Sequence, residues 1–227
     1  MPPPFDPTSD TASVALPEVL PVFPLAGALL LPGGHLPLHI FEPRYRNMTR
    51  DALAGDRLIG MIQPAEATPD GSEPTLFRTG CAGRIASDEM TEDGRYKIVL
   101  EGLCRFHIDE ELPPVDGYRR VRADYAAYGR DLGGDGETAF DRARLLPLLE
   151  SYLEGMEVAA DWDAIADTTD ARLIDALAVL CPFEPREKQA LLESPTPAAR
   201  GEMVLALIEM AVLARRAGGA AGPGRSQ

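Results

Sequence analysis

The sequence predicts an α+β chain, β-rich in its N-terminal half and helical in its C-terminal half. Three observations carry this. Short apolar runs bounded by Pro and Gly follow one another from Leu16 to Tyr128. The segment Gly129–Gly136, GRDLGGDG, then supplies four glycines and breaks the pattern. Beyond it, apolar residues recur three and four apart, which is the helical period.

Each element has a local reason. Val19–Phe23 and Ala28–Leu31 are short β runs punctuated by Pro and Gly. In His35–Phe41, Leu36, Leu38 and Ile40 share one strand face. Glu42-Pro43 ends that strand and starts a helix, because proline is preset for the first helical position. Tyr45, Met48, Ala52 and Leu53 form its buried side, and Gly55 ends it. Arg57–Gln63 predicts a central strand, and Pro64–Thr75 a polar loop. Leu76–Ala86 and Tyr96–Ile108 predict a hairpin turned by Glu92-Asp93-Gly94, since Asp-Gly suits the tight turn between strands. Tyr118–Tyr128 closes the sheet.

In the second half, Leu145, Leu149, Tyr152 and Met156 line one helix face, with Pro147 near its start or at a kink. Asp170 caps a helix that stops at Cys181-Pro182, Glu184-Pro185 starts the next, and Thr196-Pro197 the last. On that last helix Met203, Leu207 and Met210 share one face, and Arg215 and Arg216 complement its C-terminal dipole. The expected organisation is a disordered arm over 1–15, a β domain over 16–128, a helical domain over 129–217 and a disordered tail over 218–227.

Composition narrows the function. The chain has 227 residues, with 22 basic against 36 acidic side chains and a formal charge of −14. Such a balance opposes nucleic-acid or anionic-membrane binding, which need a basic field to displace counterions. The run from Val19 to Phe41 has no charged residue, but Pro21, Pro24, Pro32 and Pro37 rule out a membrane helix there. No signal peptide is visible ahead of Arg44, the first basic residue. Cys81, Cys104 and Cys181 are widely spaced and suggest no disulfide framework, so a cytoplasmic location is expected.

The candidate chemistries are thin. No phosphate-binding glycine motif is present, so no nucleotide cofactor is expected. His35 and His39 lie on a strand, where four residues span roughly 13 Å, too far for one metal ion. No G-x-S-x-G occurs, and a Ser–Lys dyad is restricted to Lys97, an outward strand residue, or Lys188, in a solvated helix setting. Glu150, Glu154, Glu157 and Asp161 share a helical spacing and read as a solvated face; residues 150–175 carry eight acids and one arginine, a net of −7.

One resemblance is specific. The string Leu20–Met48, LPVFPLAGALLLPGGHLPLHIFEPRYRNM, resembles the opening of the Lon-type N-terminal domain, the substrate-binding domain of ATP-dependent protease La. The likeness continues through Ile59-Gly60-Met61-Ile62-Gln63, Gly80-Cys81-Ala82-Gly83-Arg84-Ile85 and Gly94–Ile108. The helical stretch Leu173–Glu193 is similar to small stand-alone bacterial members.

The resemblance implies a PUA-like β pseudobarrel followed by a helical bundle. It also implies recognition of polypeptide clients, or of a partner protein such as an ATP-dependent protease, with no cofactor. Through Gln227 there is no Walker motif and no credible dyad, so a non-catalytic protein- or peptide-binding module is expected, acting as an adaptor or scaffold in protein quality control. Neither nucleic acid nor membrane is an expected partner. Two alternatives stand beside this: a small hydrolase using Cys81, Cys104 or a histidine, and an RNA-binding protein by analogy with PUA-like folds. Within the motif, Phe41, Arg44, Tyr45 and Met48 have two readings. Either Arg44 and Tyr45 pin the helix to the barrel, or all four form the edge of a peptide-binding groove, where aromatic, Met and Arg side chains are enriched.

Overall fold

The computed structural model describes residues 16–65, 73–133 and 140–220. The arm over 1–15, most of the polar loop, residues 134–139 and the tail from 221 lie outside the described residues. Six strands form one sheet: β1 (Val19–Pro24), β2 (His35–Ile40), β3 (Leu58–Ile62), β4 (Thr79–Met90), β5 (Tyr96–Val115) and β6 (Tyr118–Asp124). The order is β2-β5-β4-β3-β1-β6, and β6 also pairs with β5. This second pairing closes β5, β4, β3, β1 and β6 on themselves and leaves β2 outside as an appended edge. Closure is possible because β5 is long enough, at 20 residues, to serve two neighbours in succession. Its first half pairs with β2 on one side and β4 on the other, the β4 ladder ends at His107, and the second half pairs with β6.

Inside the closed part, Leu20, Val22, Leu58, Ile62, Ala82, Phe106, Ile108 and Val121 form an apolar cluster. Phe106 fits because Gly60 and Gly80 lack side chains. A Cβ on Gly80 would lie 2.6 Å from the Phe106 ring and from the Met61 carbonyl. The expected strand at Ala28–Leu31 is instead irregular, though Leu29, Leu30 and Leu31 are buried. It crosses Gly102 so closely that a Cβ there would sit 2.0 Å from the Leu31 oxygen. Gly33 donates to the Gly102 oxygen and Gly102 to the Gly34 oxygen, so the segment is held without joining the sheet there.

Helix α1 (Pro43–Ala54) begins at proline and ends at Gly55, and buries Tyr45, Met48, Thr49 and Ala52. After β6, a 3-10 segment over Ala126–Gly133 leads to α2 (Arg142–Glu154), α3 (Trp162–Asp167), α4 (Asp170–Leu180), α5 (Pro185–Glu193) and α6 (Pro197–Ala220). The short α3 lacks an apolar period and was not expected. Because α2 ends at Glu154, Glu157 adopts a positive φ of 58° and Asp161 caps α3, so the four expected acids do not share one helix face. On α6 the core face is Val204, Leu205, Ile208 and Val212, while Met210 is exposed. That helix runs on to Ala220, so Arg215 sits inside it, donating to the Tyr152 carbonyl over the Tyr152 ring. Residues 218–220 of the expected tail are therefore helical.

The larger apolar cluster joins Phe23, Leu30, Ile40 and Met48 to Leu145, Ile174, Leu191 and Ile208, so helices and barrel share one core. Polar groups stitch the same seam. Gln63 accepts from the Gly27 amide and donates to the Pro185 carbonyl, and Gln189 donates to the Thr79 carbonyl. Lys188, expected to be solvated, is buried here, with Nζ donating to the Gly27 and Val179 carbonyls at 3.0 Å each. Its helix turns Lys188, Gln189, Leu191 and Leu192 toward the protein, and only the tip of the lysine is polar.

Candidate functional site

The wing formed by β2, the first half of β5 and the end of β4 projects beyond the closed barrel, and α1 follows it directly. Strand alternation sorts its side chains. Ile40 pairs with Tyr96 and Tyr96 with Met90, giving one row, while His39, Lys97 and Glu89 give the next row on the opposite face. Ile40 is buried, His39 exposed and Met90 more than half exposed.

The four motif residues divide between surface and core. Phe41 is 57% exposed at the end of β2, edge-on to His39 with ring centroids 6.1 Å apart. Arg44 is part-exposed. Its Nε donates to Glu42 at 3.0 Å and its Nη1 to Glu73 at 3.1 Å, so it ties α1 to the far end of the polar loop. Ion pairs this exposed contribute about 0–1 kcal/mol each. Arg44 also lies 4.6 Å from the Tyr45 ring centroid. Tyr45 is buried against Phe23, with centroids 4.2 Å apart, and burial pushes its phenol above the usual range against the pull of Arg44. Met48 is wholly buried. The helical period explains the split: positions 45, 48 and 52 face the barrel, and 41 precedes the helix. Phe41 and Arg44 are thus available at the surface, while Tyr45 and Met48 hold α1 in place.

Lys97 is exposed and lies 3.7 Å from Glu89. Burial lowers the pKa of Lys188, whose hydrogen-bond partners are carbonyls rather than a hydroxyl. Cys81 and Cys104 are buried in β4 and β5. Cys104 donates to the Arg105 and Tyr128 carbonyls, and burial together with Asp131 pushes its thiol up to about 12. Among the described residues no group of three His, Cys, Asp or Glu could hold a metal ion.

Sequence reasoning missed the seam residue Arg105. Its guanidinium pairs with Asp131 at 2.8 Å, donates to the Leu192 and Ser194 carbonyls, and lies 4.7 Å from the Tyr128 ring centroid. Both charged side chains are nearly fully buried. The pairing joins Arg105 of β5 to a residue 26 positions on, within the glycine-rich segment, and no local pattern announces it.

A sequence profile of the ATP-dependent protease La (LON) substrate-binding domain matches residues 19–210. The chain belongs to this family. It is similar to Lon protease 2 of Myxococcus xanthus, at 29% identity over 85% of this chain and 24% of that protein. Lon protease of Anaeromyxobacter dehalogenans is 28% identical over 85% of this chain and 23% of its own length. The chain thus spans about a quarter of these relatives. Among solved structures, a Lon N-terminal domain protein from Xanthomonas campestris superposes with a TM-score of 0.58 at 25% identity, covering 83% of this chain and 97% of that one. The N-terminal domain of a Mycobacterium avium complex Lon protease shares the fold, with a TM-score of 0.56 at 16% identity. The substrate-binding domain is the non-catalytic part of Lon. No helix among the described residues is long and apolar enough to cross a membrane.

Proposed function

We propose that this chain is a non-catalytic module that binds polypeptides and acts as an adaptor or scaffold presenting them to an ATP-dependent protease. The observation that carries the reading is the family match, which runs from β1 into α6 and so spans the barrel, α1 and the helical layer together. Phe41 and Arg44 supply the chemistry. Phe41 is exposed and Arg44 part-exposed, and aromatic and arginine side chains are enriched in surfaces that engage other chains. The charge of −14 favours clients that are not strongly acidic.

The test is fluorescence anisotropy with labelled α-lactalbumin, once native and once reduced and carboxymethylated so that it stays unfolded. The unfolded form should bind at least tenfold more tightly. Equal weak signals for both would overturn the reading. The adaptor role is tested by adding the chain to an ATP-dependent protease from the same cells and measuring degradation of a bound client. Acceleration that Phe41→Ala diminishes is expected, and an unchanged rate counts against it.

A further inference from the structure

The free edge of β2 has an unusual composition. Edge strands expose unpaired N–H and C=O groups, and proteins usually blunt them with charged side chains, bulges or covering segments. From His35 to Phe41 this edge carries no Asp, Glu, Lys or Arg. Its one blunting device is Pro37.

The ladder fixes which main-chain groups face outward. Thr91 donates to the Arg95 oxygen, so Arg95 in the turn and residues 97 and 99 of β5 turn their main chain toward β4. Residues 96, 98 and 100 therefore turn toward β2, where they meet Ile40, Leu38 and Leu36. Gly102 donating to the Gly34 oxygen gives the same phase from the other end. His35, Pro37 and His39 are left pointing away from the sheet. Pro37 sits where its missing N–H breaks no ladder bond. Among the described residues no other strand pairs with this edge.

We propose that an extended, proline-free client segment of net positive charge adds to β2 as a further strand, read through its main chain. This rests on the polypeptide-binding reading and names how the segment is held. An antiparallel segment exchanges two hydrogen bonds with His35, two with His39, and donates one to the Pro37 oxygen. The edge brings no unpaired charge against it, and Phe41 at its end is exposed to apolar side chains. Charge complementarity sets the sign. The adjoining hairpin carries Asp88, Glu89, Glu92 and Asp93 against Arg95 and Lys97, within a chain of −14. A second copy is a poorer occupant, because β2 against β2 brings a second proline and loses another donor.

The probe is a capped nine-residue peptide of alternating valine and threonine with a lysine at each end. On its addition, NMR should show slowed amide exchange at His35 and His39. His39→Pro removes an outward donor without touching the β5 ladder, and should weaken binding at least tenfold. His39→Thr returns the donor and should recover most of the affinity. Replacing the terminal lysines with glutamates should weaken binding severalfold at low salt. If His39→Pro fails to fold, a peptide N-methylated at the amides facing β2 takes its place and should lose binding by the same factor. Binding without protection at His35 and His39, or undiminished by N-methylation, would overturn the proposal. If unfolded α-lactalbumin still binds in that case, the polypeptide-binding reading survives and the edge does not. If neither probe binds, both fall.

Discussion

The seam between barrel and helices and the free edge of β2 pose the same physical problem with opposite outcomes. Each exposes main-chain groups that the barrel cannot pair within itself. At the seam, Gln189 donates to the Thr79 carbonyl, Lys188 to that of Gly27 and Gln63 to that of Pro185. Arg105 spans the gap to Leu192 and Ser194. At the edge, His35, Pro37 and His39 meet nothing comparable among the described residues. The difference lies in side-chain reach. Gln63 just past β3 and long polar residues of β5 and α5 project into the seam, whereas β2 offers imidazoles, leucines, an isoleucine and a proline. A buried polar group left unpaired costs about 1–3 kcal/mol, so the seam had to be completed within the chain. The solvated edge carries no such cost and can wait for a partner.

The largest expected effect is at the seam. Arg105→Met leaves Asp131 buried without its cation and the Leu192 and Ser194 carbonyls without their donor. Breaking a buried pair from one side costs about 3–5 kcal/mol. Urea denaturation should show that loss. A change below about 1 kcal/mol would mean that Arg105 does not hold the seam, and that Gln63, Lys188, Gln189 and the apolar core do.

Met48→Ala sharpens the division of the motif. A wholly buried methionine cut to alanine costs about 2–5 kcal/mol. Stability should fall by that amount, while affinity for unfolded polypeptide per folded molecule should hold within about twofold, a difference of about 0.4 kcal/mol. A selective loss of affinity would return Met48 to the binding surface.

Phe41→Ala should do the reverse. An exposed side chain outside the core changes stability by about 0.5 kcal/mol or less. Truncating an aromatic anchor weakens binding by about 1 kcal/mol or more, roughly fivefold. Unfolding and anisotropy measurements on the same preparation separate the two. Unchanged affinity would move the contact surface away from the end of β2.

Local chemistry made most elements legible. Pro43 and Gly55 bounded α1, Pro185 began α5, and Asp93-Gly94 turned the hairpin, because each sets backbone geometry within a few residues. The ordered motif blocks gave the family. What stayed hidden depended on distant partners. Ala28–Leu31 has the composition of a strand, but β2 and β4 already occupy both sides of β5 there. Lys188 looks solvated beside Arg186 and Glu187, and the approach of the Gly27 carbonyl, 161 residues away, together with that of Val179, shows why it is buried. For the candidate site, the helical spacing already turned Tyr45 and Met48 inward, as the structure has them, while the groove reading set the same two side chains at a surface. The register that turns His35 and His39 outward is set by β5 and could not be read from β2.

The smallest expected effect concerns the thiols, which lie on both sides of the seam. Cys81 and Cys104 are in the barrel and Cys181 ends α4, and all three are buried. Burial raises each above the ordinary range. It pushes Cys104 to about 12, and it pushes Cys181 to about 11 despite the opposing pull of Lys188. The reactive species is the thiolate, so at pH 8 a thiol at 11 is ionised about one part in a thousand. Native protein should therefore leave a maleimide untouched for an hour at pH 8, and urea should release three equivalents. Polypeptide binding should be the same before and after exposure to the reagent. In Arg105→Met, Cys104 should become the first thiol to react, since its sulfur donates to the Arg105 and Tyr128 carbonyls beside the broken pair. If Cys181 reacted first instead, the helical layer would be opening independently of Arg105, and the seam would have a second closing contact, with Lys188 nearest to it.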